Sequence, residues 1–288
     1  MTPRLSEYGV ITRLMVKHAA DAFDEAAIAA QWRDLNFTAP PDRAAAIAES
    51  DAFVALLASR GAQIDRLPRN DAVGLDSIYV RDASIESPKG MILCHMGKPQ
   101  RRTEPEAQAV TFTASHVPIA GRIEPPGQIE GGDLVWFDDQ TLAVGRGYRT
   151  NAEGIRQLRA IVGPAVEVVE VPLPHWRGPG DVFHLMSVIS PVDRDLAVIY
   201  PPLMSVPFLE WMHARGIAGV PVPDEEFDSM GANVLALAPR VCVAVDGNPR
   251  TRALLERAGA EVLVYSGTEI SLKGGGGPTC LTRPLARR

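Results

Sequence analysis

The stretch MGANVLALAPRVCVAVDGNPRTRALLERAGAEVLVYSG, residues 230–267, decides the fold because it contains one complete structural unit. Pro249 fits the first turn of an amphipathic helix, and Gly259 fits the position just after its end. Three short apolar runs around this helix are rich in β-branched residues, as strands typically are: Asn233–Leu237, Val241–Val245 and Val262–Tyr265. The stretch therefore predicts a strand–strand–helix–strand unit.

The same order of elements fits three other parts of the chain, residues 78–114, 131–173 and 184–223. In the second of these, Thr150 and Asn151 are residue types that cap helix N-termini, and Gly163 fits the helix end. In the first, a helix is expected through Glu104–Ala107. The repeat is one of structure, because the four segments are not close copies in sequence.

The residues near the N-terminus complete the pattern. A strand near Val10 and helical segments at 31–35 and 52–61 are expected to form a fifth unit with an extra helix. A single unit of this kind cannot bury its own apolar face, and a closed ring of units is one stable solution. The sequence therefore predicts one α/β domain over residues 1–288, a five-fold pseudo-symmetric α/β propeller with strands inside and helices outside.

Composition excludes several classes of protein. The chain has 288 residues, 46% of them hydrophobic, and a net charge of −6, which argues against disorder. With 35 acidic and 29 basic residues and no long basic run, we expect no nucleic-acid partner. No apolar run approaches the roughly 20 residues of a membrane helix, and no signal peptide is evident. Three cysteines are too few for a disulfide framework, so we expect a cytoplasmic protein.

Five residues hold equivalent positions near the first strand of each predicted unit. They lie 48, 54, 49 and 47 residues apart: Asp82, Glu130, His184, Asn233 and Cys280. Equivalent positions converge on the axis of a ring of repeats. Four of the five residues are two carboxylates, a base and a nucleophile, so the pattern predicts one catalytic site on that axis.

The other cysteines and histidines have simpler interpretations. Cys94 and Cys242 lie inside apolar runs, where a free cysteine usually packs as a small hydrophobic residue. Cys280 instead follows four glycines and a proline, a run that lets the backbone approach a ligand closely. His184 follows a loop and enters a strand, which suits a general acid/base, and His175 in the same loop is the alternative. Surface or core roles are expected for the remaining histidines, His18, His95, His116 and His213.

Metal and nucleotide sites are not favoured by the motifs. The chain has no CxxC, HxH or HExxH sequence, which are the usual patterns of zinc sites. The glycine run lacks the GK[ST] ending of a phosphate-binding loop. We therefore expect neither a metal nor an organic cofactor.

These motifs resemble those of the guanidino-group-modifying enzyme superfamily, whose fold is called the pentein. The superfamily includes arginine deiminase, dimethylarginine dimethylaminohydrolase and glycine amidinotransferase. The matching motifs extend from about residue 71 to the C-terminus: YVRDAS (79–84), IEGGD (129–133), GYRTN (147–151), VFHLMSVIS (182–190) and GGGGPTCLTRPL (274–285). Their order and spacing agree with the five-fold repeat, and the resemblance implies chemistry without a cofactor.

The resemblance also implies roles for individual residues. Cys280 matches the nucleophile, His184 its acid/base and Glu130 the acid that orients the histidine. Four more residues match positions that contact substrate: Asp82 for the guanidinium, Arg149 and Arg101 for an α-carboxylate, and Asp76 as a further acid. Asp133 is expected to support the structure rather than the reaction.

Two departures bear on the substrate. Met186 stands two residues after His184, where arginine deiminases have an aspartate that completes the guanidinium clamp. An apolar neighbour suits a methylated nitrogen, whereas Arg81 beside Asp82 is closer to the deiminase pattern. We expect an amidinohydrolase of the dimethylarginine type acting on a small guanidino compound, with an arginine deiminase-like hydrolase or an amidinotransferase as alternatives. A homo-oligomer is left open. A non-enzymatic ribosome-binding pentein is disfavoured by the four matched catalytic residue types.

Overall fold

The computed structural model describes residues 5–181 and 183–288. Within these residues, fifteen strands form five sheets of three strands each, and eight α-helices lie between strands. In every sheet the central strand pairs antiparallel with one neighbour and parallel with the other. A helix connects the two parallel strands, since parallel neighbours require a long crossover. The predicted five-fold α/β propeller is confirmed.

Four sheets follow one another along the chain. The first contains β3 (Ser84–Ser87), β4 (Gly90–Leu93), α4 (Glu104–Ala114) and β5 (Ile119–Arg122). The second contains β6 (Leu134–Asp138), β7 (Thr141–Arg146), α5 (Ala152–Val162) and β8 (Glu167–Pro172). The third contains β9 (Ile189–Asp193), β10 (Leu196–Ile199), α6 (Val206–Ala214) and β11 (Ala218–Pro221), followed by the short α7 (Asp224–Phe227). The fourth contains β12 (Leu235–Ala238), β13 (Val241–Val245), α8 (Pro249–Arg257) and β14 (Glu261–Tyr265).

The fifth sheet joins the two ends of the chain. The C-terminal strand β15 (Thr282–Arg287) pairs antiparallel with β1 (Ile11–Val16), which pairs parallel with β2 (Gln63–Arg66). Three helices lie between β1 and β2: α1 (Ala19–Ala22), α2 (Glu25–Gln31) and α3 (Arg43–Ser59). This sheet therefore depends on residues that are far apart in sequence.

Local signals account for the helix ends in two of the repeats. Asn151 caps α5, because its side chain accepts a hydrogen bond from the Gly154 amide, and Gly163 follows that helix with φ 89°. Pro249 is the first residue of α8, and Gly259 follows that helix with φ 87°. These predicted boundaries are confirmed.

Three predicted boundaries differ from the structure. The helix at 31–35 is wrong, since α2 ends at Gln31 and the chain turns through Asn36, which has φ 68°. The strand predicted from Asn233 begins only at Leu235, because the Asn233 side chain is hydrogen-bonded to the Cys280 loop. The helix predicted through Glu104–Ala107 continues to Ala114, and the side chain of Phe112, in its second half, is buried.

The first strands of the sheets lie side by side around the axis of the ring. β3 packs against β15, and β9 packs against both β6 and β12. Hydrophobic clusters fill the space between the sheets and their helices, and the largest spans the second, third and fourth sheets. The loops that precede the first strands are therefore brought together at one end of the axis. In the part of the chain that the structure describes, no helix is long and apolar enough to span a membrane.

Leu14 in β1 tests the importance of the sheet that joins the termini. Its side chain is completely buried, so Leu14→Ala is expected to lower the free energy of unfolding by about 2–5 kcal/mol. Val110→Ala, on the exposed face of α4, is the control and is expected to change it by less than about 0.5 kcal/mol. Urea denaturation followed by circular dichroism measures both free energies of unfolding. Equal losses in the two variants would contradict the importance of the sheet that joins the termini.

Candidate active site

Five loops converge at one end of the axis, and each leads into the first strand of its sheet. The matched residue of each loop lies two to five positions before that strand. These loops carry the five residues at matched positions: Asp82, Glu130, His184, Asn233 and Cys280. The glycines of the GGD motif allow close packing here. A Cβ on Gly132 would lie 2.6 Å from His184 Nδ1 and 2.7 Å from Asp82 Oδ1, so a larger residue would separate these loops.

Five hydrogen bonds connect neighbouring units around the whole ring, four of them between these loops and one from the fourth loop to Ser190 in β9. The five donor and acceptor pairs are Arg81 N to Cys280 O (3.2 Å), Gly131 N to Asp82 O (2.8 Å), Leu185 N to Asp133 Oδ1 (3.0 Å), Val234 N to Ser190 Oγ (3.1 Å) and Thr279 N to Asn233 Oδ1 (3.0 Å). A displacement of one loop would therefore be transmitted to its neighbours.

His184 is buried between two carboxylates. Its Nε2–H donates to Glu130 Oε2 at 2.7 Å, and its Nδ1 lies 3.8 Å from Asp82 Oδ1. Burial alone would lower the pKa of His184, but the negative charges of Asp82, Asp133 and Glu130 outweigh it and raise the pKa to about 9. The imidazole is therefore positively charged at neutral pH and can donate a proton.

Glu130 links several loops of the site. Its Oε2 also accepts from Arg149 Nη1 at 3.3 Å, and its Oε1 accepts from the Lys98 amide at 2.9 Å. Burial would raise the pKa of this carboxyl, but the hydrogen bond and charge of His184, together with Arg149 and Arg101, hold it well below its usual range. Glu130 is therefore ionised and holds the histidine in one orientation.

Cys280 is partly buried at the end of the glycine run. Asn233 Nδ2 donates to Cys280 Sγ at 3.3 Å. Added Cβ atoms at Gly274 and Gly276 would collide with the Tyr79 ring, so the run allows close packing as expected. Burial and the nearby Asp82 charge raise the pKa of the Cys280 thiol to about 12. With no ligand bound, the thiol is therefore neutral.

Arg101 is held within the protein by carboxylates. Its Nη1 donates to Asp82 Oδ2 at 2.5 Å, while Nε and Nη2 donate to the two oxygens of Glu104 at 2.9 and 2.8 Å. Nη2 also donates to the Tyr79 carbonyl at 2.9 Å. The guanidinium fixes the position of Asp82. Its predicted contact with a substrate carboxylate would require some of these bonds to open.

Asp76 and Lys98 form a buried pair beside Arg101. Lys98 Nζ donates to Asp76 Oδ2 at 2.6 Å and to the Leu35 carbonyl at 3.1 Å. The Tyr79 hydroxyl is buried nearby and has no hydrogen-bond partner among the described residues. Asp76 therefore lies at the site, but its charge is compensated by Lys98.

Asp133 and Arg81 lie behind the site. Asp133 accepts hydrogen bonds from Thr150 Oγ1 at 2.7 Å and from the Leu185 amide at 3.0 Å. Burial raises the pKa of Asp133 to about 6. Arg81 pairs with buried Glu7 at 2.5 Å and lines neither of the two cavities at Cys280. Arg81 therefore gives no direct information about substrate contacts.

Two cavities meet at His184 and Cys280, which line both of them. One is a polar space of about 20 Å³, bounded by charged groups: Asp76, Asp82, Lys98, Arg101 and Arg149. The other has a volume of about 330 Å³ and opens on the side of Met186 and Asn233. The polar space is close to the roughly 10–15 Å³ that one water molecule requires.

Asp82, Glu130 and His184 could in principle ligate a cation, since each offers an atom within 4.8 Å of the others. Two cationic side chains, Arg101 and Arg149, already donate to the same carboxylates. Protonated His184 adds a third positive charge. The cluster is therefore balanced by cations of the protein, and the absence of a metal stays a prediction.

Three residues at the site were given no role from sequence. Asn233 has the same spacing as the other four matched residues, but an amide side chain by itself indicates no chemistry. Its role follows from its hydrogen bond to Cys280. Tyr79 lies three residues before Asp82, and Lys98 precedes the segment that contains Arg101. Neither shows a periodicity or motif of its own, because their proximity depends on how the loops fold.

The remaining cysteines and the alternative histidine have other environments. Cys94 and Cys242 are buried in hydrophobic clusters, as predicted, and burial raises the pKa of Cys242 to about 12. His175 is exposed, and its Nδ1 lies 2.6 Å from the Tyr148 hydroxyl. The structure therefore brings His184, and not His175, to the two carboxylates.

Glu130→Gln tests the charge balance around His184. Loss of the carboxylate is expected to lower the pKa of His184 by about 1 to 3 units, as measured by an NMR titration of the imidazole. Glu153→Gln, which removes an exposed carboxylate paired with Arg156, is the matched control and should leave that value unchanged.

The same shift predicts the pH dependence of stability. The folded-state pKa of His184, about 9, exceeds the ordinary value of 6.5. The stability that this group contributes is therefore complete below pH 6.5 and is lost as the pH rises toward 9. If denaturation midpoints of the wild type and Glu130→Gln changed equally over that range, this account would be wrong.

The chain is similar to known proteins over most of its length. The family model described as arginine deiminase matches residues 76–215 and 210–287. An arginine deiminase of Rhodococcus erythropolis is 33% identical over 191 residues, which cover 55% of this chain and 46% of that protein. The chain thus spans about half the length of the curated arginine deiminases that it matches. The N(G),N(G)-dimethylarginine dimethylaminohydrolase of Streptomyces coelicolor is 32% identical over 238 residues, covering 81% of this chain and 84% of that protein.

A solved structure shows the same fold. The dimethylarginine dimethylaminohydrolase of Pseudomonas aeruginosa, a cysteine-to-serine mutant complexed with citrulline, superposes with a TM-score of 0.76. The match covers 95% of this chain and 98% of that one at 23% identity. The fold is therefore that of the penteins. Together with the family match over most of the sequence, these findings show that the chain belongs to the arginine deiminase family.

Proposed function

We propose that the protein is an amidinohydrolase that cleaves a C–N bond of a guanidino group through a covalent intermediate on Cys280. The observation that carries the proposal is the position of one buried oxygen. Asp82 Oδ1 has no hydrogen-bond donor among the described residues, and it lies at the cavity that His184 and Cys280 line. A buried acceptor without a partner is unfavourable, and a guanidinium N–H would supply the missing bond.

The charges at the site favour a planar cation. Asp82 and Glu130 are buried carboxylates on either side of His184, and carboxylates bind a guanidinium through charge-assisted hydrogen bonds. A positive substrate beside Cys280 also lowers the pKa of the thiol, which burial otherwise keeps near 12. The thiolate therefore forms when the substrate binds, and its proton passes to solvent.

The first chemical step forms a carbon–sulfur bond. The Cys280 thiolate attacks the central guanidinium carbon, and the leaving nitrogen takes a proton from charged His184. The C–N bond breaks, the amine departs, and an amidino thioether remains on the enzyme. His184 is then neutral and remains oriented by Glu130.

The second step consumes water. Neutral His184 takes a proton from a water molecule, which attacks the thioether carbon. The carbon–sulfur bond breaks, the remaining hydroxyl proton passes to solvent, and the ureido product leaves. The thiolate and charged His184 are restored, and the amine released in the first step takes up a proton from solvent. The net change is a guanidinium plus water giving a ureido compound plus a protonated amine, so atoms and charge balance.

The substrate that fits best is an arginine derivative with a substituted guanidino nitrogen, as in dimethylarginine, which would give citrulline and an amine. Met186 supports this choice, because it is buried at the cavity and offers no carboxylate to an unsubstituted N–H pair. Arg149, whose Nη2 donates to the Asp181 carbonyl at 3.1 Å, is proposed to pair with the substrate α-carboxylate. An arginine deiminase-like reaction and an amidinotransferase reaction, in which an amine replaces water, are the alternatives.

Cys280→Ser tests the chemistry. Citrulline production from dimethylarginine is expected in the wild type and should fall by at least about a thousandfold in the variant, because serine lacks an accessible anion. Cys242→Ala is the matched control, since Cys242 is buried in another part of the molecule and should keep its activity. Activity retained in Cys280→Ser would exclude the covalent mechanism. Product that forms only when a second amine is added would identify a transferase.

Met186→Asp tests substrate preference. The new carboxylate could bind an unsubstituted guanidinium, so kcat/KM for arginine relative to dimethylarginine is expected to rise about 10- to 100-fold. Met186→Leu keeps an apolar side chain and should leave the ratio near that of the wild type. A ratio that moves toward dimethylarginine in Met186→Asp would remove the reason for assigning a methylated substrate.

A further inference from the structure

We propose that the 330 Å³ cavity beside Cys280 binds an apolar substituent larger than methyl on the leaving nitrogen of the guanidine. This inference rests on the proposed function and specifies its substrate class as N-alkyl or N-aryl guanidines. The cavity, named here the apolar cavity, is distinct from the small polar space that faces Asp82 and Arg101.

The two volumes determine where the bulk of a substituent can lie. The polar space is about 20 Å³, and its charged side chains already bind one another. The apolar cavity is about 330 Å³, at the lower end of the roughly 300–1,000 Å³ typical of small-molecule pockets. Because His184 and Cys280 line both, a guanidinium held at these residues has one nitrogen facing the apolar cavity. A methyl group would leave most of that volume to water.

Hydrophobic side chains form a large part of the cavity wall. Besides Trp176 at the mouth, six of them line it: Phe183, Met186, Phe227, Met230, Ala232 and Leu272. Polar side chains line it as well, namely Asn36, Thr38, Ser187 and Asn233. Phe227 is held firmly, because its ring stacks on Tyr200 with centroids 3.9 Å apart. Two of the six are methionines, whose flexible side chains adapt to ligands of different shape. These hydrophobic side chains favour the burial of a hydrocarbon group.

Three charged side chains at the cavity, Arg177, Asp228 and Lys273, are paired within the protein, and Asp181 also lines the cavity. Arg177 Nη2 donates to both oxygens of Asp228 at 2.9 Å, and both side chains are more than half exposed. Lys273 Nζ donates to Glu269 at 2.6 Å and to the Pro40 carbonyl at 3.1 Å. An apolar substituent leaves both of these pairs intact.

The position of His184 assigns the substituent to the nitrogen that leaves. His184 lines the apolar cavity and is the proton donor to the departing amine. For a substrate R–NH–C(=NH2⁺)–NHR′, the proposed reaction with water gives R–NH–CO–NH2 and R′NH3⁺. The group R′ lies in the apolar cavity, and the released amine leaves through its solvent-exposed mouth beside Trp176.

A series of Nω-alkyl-arginines tests the inference with one product throughout. Citrulline formation is measured with methyl, propyl, butyl and benzyl substituents on the same enzyme. From methyl to butyl, kcat/KM is expected to rise about fourfold per added methylene, the factor for burying one methylene group. A kcat/KM that is highest for methyl and falls with chain length would overturn the inference and leave the hydrolase proposal intact.

Variants that fill the cavity provide the structural control. Met230→Trp and Leu272→Trp place a bulky ring in the wall and are expected to lower the butyl-to-methyl ratio of kcat/KM by about tenfold or more. Met204→Trp is the matched control, since Met204 is also partly buried but does not line the cavity. An unchanged ratio in both cavity variants, with circular dichroism showing that they fold, would contradict the assignment.

A binding measurement distinguishes failure of this inference from failure of the proposed function. If the wild type turned over no guanidine, the proposed function would fail, and calorimetry with Cys280→Ser would still test the cavity. Affinity that increases with alkyl length, and loses that dependence when Met230→Trp is added, supports the inference. Affinity that is independent of alkyl length overturns it.

Discussion

The hydrogen-bonded ring of five loops is the constraint on which the site depends. Each loop precedes the first strand of a sheet, and each is bonded to the next, from Cys280 through Asp82, Asp133 and Ser190 to Asn233 and back. Only the pairing of β15 with β1 completes this circle, because it carries the C-terminal residues to the sheet formed by the N-terminus. The reacting groups thus occupy a position that no single repeat could create.

Charge balance explains how so many ionised groups lie buried in one place. Buried charges are costly unless they are paired. Here His184 lies between Asp82 and Glu130, Arg101 between Asp82 and Glu104, and Lys98 against Asp76. The pairs stabilise a charged imidazole and leave one oxygen of Asp82 without a donor. The arrangement is thereby ready for a cationic ligand, which would also promote ionisation of the neutral thiol.

The site has two unlike sides, and this asymmetry connects the mechanism to the choice of substrate. The polar side is small and filled with paired charges, whereas the side of Met186 is wider and includes many hydrophobic side chains. A carboxylate at position 186 would make this side more polar and would suit an unsubstituted guanidinium. The methionine instead places a hydrophobic side chain in this cavity beside Cys280, and in the proposed reaction the leaving nitrogen faces it.

The sequence by itself determined the repeat, the boundaries of α5 and α8 and the five matched positions, because these depend on periodicity, capping residues and spacing along the chain. It also separated Cys280 from Cys94 and Cys242 by their local context. Only the tertiary structure decided that Asn233 bonds to the thiol, that Arg101 holds Asp82, that Lys98 neutralises Asp76 and that Arg81 pairs with Glu7. These contacts join residues from different loops, whose separation depends on the closure of the ring and on burial, and neither is encoded in local sequence.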